Sequence, residues 1–210
     1  MKKILFNDRY GLTQAVLAGR KIQTRRIIPQ SVIDNVNDFH RRYFAQTLDA
    51  LSPAEAFNQY FFIEKIGKLP YKLGEVVAVA QSYKDADVHF IPEEDDEFGC
   101  HNFPAEQISG WTKKKFVRAA LMPHRIRITN VRVERLQDIS DEDCLAEGVI
   151  KGRVGSADTH YMVAYYPPGM NKEPCCTPRE AYAVLIDRIS DKDTWKSNPY
   201  VFVYDFELIK

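Results

Sequence analysis

What this chain lacks narrows its class before any motif is read. It lacks net charge, since 29 Lys and Arg balance 29 Asp and Glu. Coating nucleic acid by bulk charge needs many uncompensated cations, so any basic contact surface has to be local. It also lacks a long apolar run: none approaches the ~20 residues that cross a bilayer. The opening Met1-Lys2-Lys3-Ile4-Leu5-Phe6-Asn7-Asp8 is basic, but its apolar stretch is too short for a signal peptide. Cytoplasmic residence and no membrane partner are therefore expected. Cysteine is scarce, and Cys100, Cys144, Cys175 and Cys176 are expected to be reduced thiols. Cys100-His101 and Cys175-Cys176 suggest metal, yet no CxxC or HxxxH spacing supports a site. No metal and no cofactor are expected. GxSxG, P-loop, GxGxxG and HExxH are missing too, which argues against P-loop nucleotide hydrolysis and zinc proteolysis.

What is present reads as an ordinary globular chain. Hydrophobic residues make up 45% and charged residues 28% of 210, the usage of a packed domain. Ile4-Leu5-Phe6 predicts a short buried strand. A helix through Leu12, Ala15 and Val16 stops at Gly19, and Gln23 to Ile28 is extended. Residues 29–72 read as helical and aromatic, with a capping box at Ser52-Pro53-Ala54-Glu55 ahead of Phe57, Tyr60 and Phe61. Val76-Val77-Ala78-Val79-Ala80 is continuously apolar, as in a strand buried on both faces.

Residues 84–120 read as an insertion carrying Glu93-Glu94-Asp95-Asp96-Glu97 and then Lys113-Lys114-Lys115. A strand pair is expected from His124 to Leu136. Ile126 and Ile128 share one face while Val131 and Val133 have the opposite parity, so the alternation slips near Thr129-Asn130, as at a bulge. Ser140 caps a short helix ending before Gly148, residues 151–177 read as a loop, and Thr177-Pro178-Arg179-Glu180 is a capping box. Its helix carries Ala181, Val184, Leu185 and Ile189 on one stripe. Tyr200 to Ile209 is a closing strand with Phe202, Tyr204, Phe206 and Leu208 on one face. The sum is one α+β domain over residues 1–210. It is built on a small, mostly antiparallel β-barrel with peripheral helices and long insertions at about 29–72, 84–120 and 151–177.

Three features carry chemistry. Gly19-Arg20-Lys21-Ile22-Gln23-Thr24-Arg25-Arg26 packs four cations into seven residues beside a hydroxyl and an amide. Such a cluster suits a phosphate, carboxylate or polar base. It equally suits a charged edge strand that resists aggregation. Strand parity sets Lys21 and Thr24 on opposite faces, so joint action needs irregular backbone between them. Glu147 falls in the last turn of its helix, where the macrodipole disfavours a carboxylate. Finally, Arg125, Arg127, Arg132 and Arg135, with Tyr83, Trp111, His124 and the upstream lysines, read either as a basic, aromatic groove for single-stranded RNA or as a polar sheet face.

Residues 19–26 resemble the G-x-K-T-x-T-x-R segment of the ASCH domain family, and Gly74-Glu75-Val76-Val77-Ala78-Val79 resembles its G-[DE]-x-[LV]-x-V strand. Val131 to Ile139, Ala146-Glu147-Gly148 and Asn198 to Phe206 are similar to its later strand, short helix and closing strand. The likeness is nearest to the longer, phage-associated members. It implies a PUA-like barrel and binding or processing of RNA or a modified nucleoside. One alternative it implies is an amidohydrolase that removes acetyl from N4-acetylcytidine. Lys21 would then be the base, Thr24 the nucleophile and Glu147 the orienting carboxylate. The candidate ligand-binding residues are Arg20, Arg25 and Arg26 of the first cluster and Tyr83, Arg125 and Arg127 of the groove. The other alternative is a non-catalytic adaptor of a phage or mobile element. Ile22 stands where the family usually has Thr, and Ala80-Gln81-Ser82-Tyr83 replaces an Arg-Glu-Thr-Trp-like stretch.

Overall fold

The computed structural model describes residues 1–34, 69–92, 102–156, 160–170 and 172–209. The capping box at Ser52, the acidic run at Glu93–Glu97 and Cys100-His101 lie outside the described residues. Within them the fold is α+β. Its centre is a five-stranded sheet with strand order β1-β3-β6-β9-β2. These strands are β1 (Lys3–Ile4), β2 (Gln23–Ile27), β3 (Val76–Val79), β6 (Arg125–Arg135) and β9 (Tyr200–Ile209). Two outlying ribbons pair β4 (Phe90–Pro92) with β5 (Asn102–Pro104), and β7 (Ile150–Val154) with β8 (Met162–Tyr166). Residues 30–34 are helical, and the helices bounded within the described residues are α1 (Leu12–Leu17), α2 (Asp141–Ala146), α3 (Pro178–Ile189) and α4 (Thr194–Ser197).

Only β1 and β3 run parallel in the central sheet; the other pairings are antiparallel. A closed barrel was the expectation, and the sheet is instead open among the described residues. β1 contributes two residues and spends its pairing on β3, and no strand among the described residues lies on the outer edge of β2. The two edges are nonetheless near each other, because Arg26 Nη2 donates to Leu5 O at 2.7 Å.

Local signals hold where they are short-range. Ser140 caps α2, its hydroxyl accepting from Asp143 N–H at 3.1 Å. The Thr177/Glu180 capping box starts α3, with reciprocal bonds of 3.2 and 3.3 Å. Its buried stripe is Pro178, Ala181, Tyr182, Leu185 and Ile186, while Val184 and Ile189 are only half-buried. The expected slip in β6 is a bulge: Ile128 faces Phe206 and Asn130 faces Asp205, leaving Thr129 as the extra residue. The expected strand pair there is one continuous strand. Residues 151–177, expected as a loop, contain the β7–β8 hairpin, and Tyr165 bridges on to Cys175.

β3 is buried on both faces, as its composition suggests. Val77 and Val79 enter a large core under α1 and α3 with Ile126, Ile128, Phe202 and Tyr204. Ala78 and Ala80 enter a second cluster with Tyr83, Ile91, Val117 and Met122. Successive side chains of one strand thus serve two cores. No helix of the described residues is long and apolar enough to cross a membrane.

Candidate functional site

The site starts at the end of α1. Gly19 takes φ +70°, which lets the chain turn sharply. Arg20 and Lys21 N–H both donate to Ala15 O, at 2.9 and 3.0 Å, and Ile22 N–H donates to Ala146 O at 2.9 Å. Lys21 is therefore held at the C-terminal end of α2 before β2 begins. This is the irregular backbone that the parity argument required. Its ammonium donates to Glu147 O at 2.9 Å and to the Glu147 carboxylate. A cation at a helix C-terminus is favoured by the exposed carbonyls. Lys21 thus offsets the mismatch of a carboxylate in that place. Both side chains are nearly sealed from solvent, at 2% and 5% exposure. Burial drives the Lys21 ammonium below the ordinary lysine range, against an opposing pull from Glu147.

Register then builds a polar layer on one face of the sheet. Gln23 faces Asp205, which faces Asn130; Arg25 faces Val203, which faces Arg132. Cross-strand partners share a face, so Gln23, Arg25, Asn130, Arg132, Glu134 and Asp205 project together. The helix α2 covers them with Asp143 and Glu147. Arg25 Nη2 donates to Glu134 at 2.6 Å and to Asp143 at 2.8 Å, and Nη1 donates to Glu147 at 3.3 Å. Arg132 donates to Asp143 at 2.6 Å and to Asp205 at 3.1 Å. Gln23 Nε2 bonds Asp143 and Asp205 at 3.0 and 2.6 Å. Burial alone would raise the Asp143 pKa, but bonds from Gln23 and Arg25 outweigh it and hold the carboxyl below its ordinary value. Burial opposes the charge on Arg25 as well, and Glu147 and Glu134 more than restore it.

Beside this layer lies a cavity of ≈ 380 Å³, within the range of small-ligand sites. Lys21, Thr24 and Glu147 all line it, together with Arg25, Arg26 and Phe6. Both Lys21 Nζ and the Arg26 guanidinium sit 5.9 Å from the Phe6 ring centre. Thr24 is 5% exposed, and its hydroxyl has no hydrogen-bond partner among the described residues. No hydrogen bond joins Lys21 to Thr24. Arg26 forms no ion pair among the described residues; its one side-chain bond there is to Leu5 O.

The remaining expected ligand contacts lie elsewhere. Arg20 is exposed and does not line the cavity. Arg125 and Arg127 are exposed on β6, and Arg127 pairs with Glu207 at 3.2 Å. Tyr83 is corrected from a groove residue to a core residue: it is 1% exposed, and its hydroxyl accepts from Arg118 N–H at 2.8 Å. Its ring closes on Gly110, where a Cβ would come within 2.3 Å, so no base can stack on it. Arg132, grouped by sequence with the basic ladder, belongs instead to the polar layer.

The sequence marks Lys114 only as one of the lysines upstream of the basic ladder. Its ammonium reaches Phe6 O, Thr13 Oγ1 at 3.1 Å and Asp8 at 2.7 Å, and it lines the cavity. Nothing in a three-lysine run marks its middle member for such contacts.

Cys144 is a buried free thiol whose pKa burial pushes up to about 12, leaving it unreactive. Cys175 and Cys176 are also free thiols. Among the described residues no cluster of three or more His, Cys, Asp or Glu is arranged to hold a metal. No family model, curated protein or solved structure matches this chain.

Proposed function

We propose that the cavity binds a modified nucleoside and deacylates it, with an N4-acylated cytidine as substrate. The observation that carries this reading is the meeting of Lys21, Thr24 and Glu147 in one cavity. In this reading the Thr24 hydroxyl attacks the acyl carbon and passes its proton to Lys21. The C–N bond breaks and the exocyclic nitrogen takes a proton. Water then hydrolyses the acyl-threonine to release acetate. A buried lysine serves as base because its ammonium is easier to deprotonate than in water. Glu147 fixes Lys21 through two contacts. The missing Lys21–Thr24 bond is compatible with this, since such contacts often tighten only with substrate. Arg25 is committed to three carboxylates, so Arg26 is the better candidate to stabilise the oxyanion, a contribution of ~3–4 kcal/mol for one donor.

The PUA-like barrel and the ASCH relationship belong to the same proposal. The approach of β1 and β2 at Arg26 and Leu5 supports a barrel parted at this seam. A small nucleoside suits the site better than a tract of RNA, because Arg125, Arg127 and Tyr83 stand apart from the cavity. A second reading, binding without turnover, draws on the double engagement of Lys21 by Glu147.

The test is acetate release from N4-acetylcytidine alongside calorimetric binding. Lys21→Ala should lower turnover by about 10²–10⁴-fold, with binding retained. Binding by wild type without acetate leaves the binding module standing, and neither signal refutes both readings. Equal turnover by Lys21→Ala and wild type would refute the assigned mechanism.

A further inference from the structure

Thr24, Arg25, Arg26 and Ile27 all line the cavity. They are consecutive residues of one strand, and their side chains alternate between opposite faces. A cavity that touches all four must therefore run along the free edge of β2. Leu5 and Phe6, just after β1, also line it, so the cavity is a gap between the two edges of the sheet. Arg26 to Leu5 is a direct bond across it.

The ladder says which backbone groups face this gap. Phe206 N–H donates to Ile22 O, and Ile28 N–H donates to Tyr200 O. Even-numbered residues of β2 thus direct their main-chain groups at β9. In an antiparallel pair the alternate residues point theirs the other way. Arg25 and Ile27 consequently aim N–H and C=O into the gap, and among the described residues neither makes a backbone bond there. Among the described residues, the cavity holds an unused donor–acceptor pair at each of these two positions, beside a hydroxyl at Thr24 and a guanidinium without a carboxylate at Arg26.

We infer that the cavity binds its ligand edge-on, the β2 main chain at Arg25 or at Ile27 pairing with a planar heterocycle that carries a donor next to an acceptor. A cytosine ring has such an edge: N3 accepts and the exocyclic N4–H donates. The choice of heterocycle rests on the nucleoside reading above, whereas the edge geometry does not. The acyl group would then point toward Thr24, and the ring would complete the hydrogen bonding that a strand supplies elsewhere in the sheet. An extended peptide is the competing occupant, since free strand edges also capture peptides.

The experiment is amide hydrogen exchange of the wild-type chain, read by NMR at Arg25 and Ile27, so the folding of a variant does not limit it. Three additions are compared: cytidine, 3-methylcytidine (whose ring edge is blocked) and an extended peptide. Cytidine should slow exchange at one of the two amides at least about tenfold, and 3-methylcytidine should not. Cytidine that fails to bind, or binds without protecting either amide, overturns the inference. Protection by the peptide alone also overturns it. Protection without acetate release from N4-acetylcytidine leaves the edge reading intact while deacylation fails. Acetate release without protection gives the converse.

Discussion

The two faces of β2 carry similar residues and do different work. Gln23 and Arg25 point into a layer where every charge has a counter-charge: Arg25 alone meets Glu134, Asp143 and Glu147. Among the described residues, Thr24 and Arg26, on the other face, have no carboxylate partner, and Thr24 has no side-chain bond. The first face is structural, because a buried charge is tolerable only when paired. The second keeps its capacity for something outside the chain. Charge density in a sequence therefore says little about availability. What decides it is whether the fold brings carboxylates within reach.

Several substitutions would break or sharpen that contrast. The largest effect belongs to Arg25→Ala, which strips a buried cation from Glu147 and two other carboxylates. It should cost about 3–5 kcal/mol, seen as a lower urea midpoint with little change in slope. An Arg25→Ala protein as stable as wild type would collapse the distinction between the faces. Next comes Lys21→Ala. Glu147 keeps Arg25 but loses its nearest cation, so the loss should be about 1.5–3 kcal/mol, together with the loss of turnover.

A pH titration sharpens the same point. Asp143 has its folded pKa held below the unfolded value of about 3.9. Its contribution is present above that value and is lost as pH falls through the folded one. Stability measured by urea unfolding should fall across that acid window, and Asp143→Asn should fall less. Thr24→Val should change stability by less than about 1 kcal/mol and still abolish acetate release. Loss of both would return Thr24 to the structural face. Smallest of all is Arg127→Ala, an exposed pair worth at most about 0.5–1 kcal/mol.

Much of the secondary structure was legible because its causes are local. The caps at Ser140 and Thr177, the stop at Gly19 and the parity slip at Thr129-Asn130 each depend on a few neighbouring residues. The hairpin of β7 and β8 was hidden for a local reason too. Gly152 interrupts the strand pattern, yet the ring of Tyr166 lies over it, 2.9 Å from where a Cβ would be. A glycine that serves packing looks like a loop glycine in sequence. The closed barrel failed as an expectation because pairing between edges is a long-range property.

For the site, the sequence alone determined the cast: an Arg- and Lys-rich turn after a helix stop, a hydroxyl beside it, and a carboxylate at a helix end where it is locally unfavourable. Those features follow from residue type and spacing within one turn or strand. The tertiary structure decided the roles. It set Lys21 against Glu147 across 126 residues of chain and Arg25 against Glu134 across 109. It brought Lys114 to Phe6 across 108. It also left Tyr83 inside a core and Arg125 in solvent. Ion pairing and desolvation act over a few ångströms of space and are indifferent to chain separation. Only the packed sheet, with its fixed register and, among the described residues, an unpaired edge at β2, could divide these side chains into those that hold the fold and those left open to a ligand.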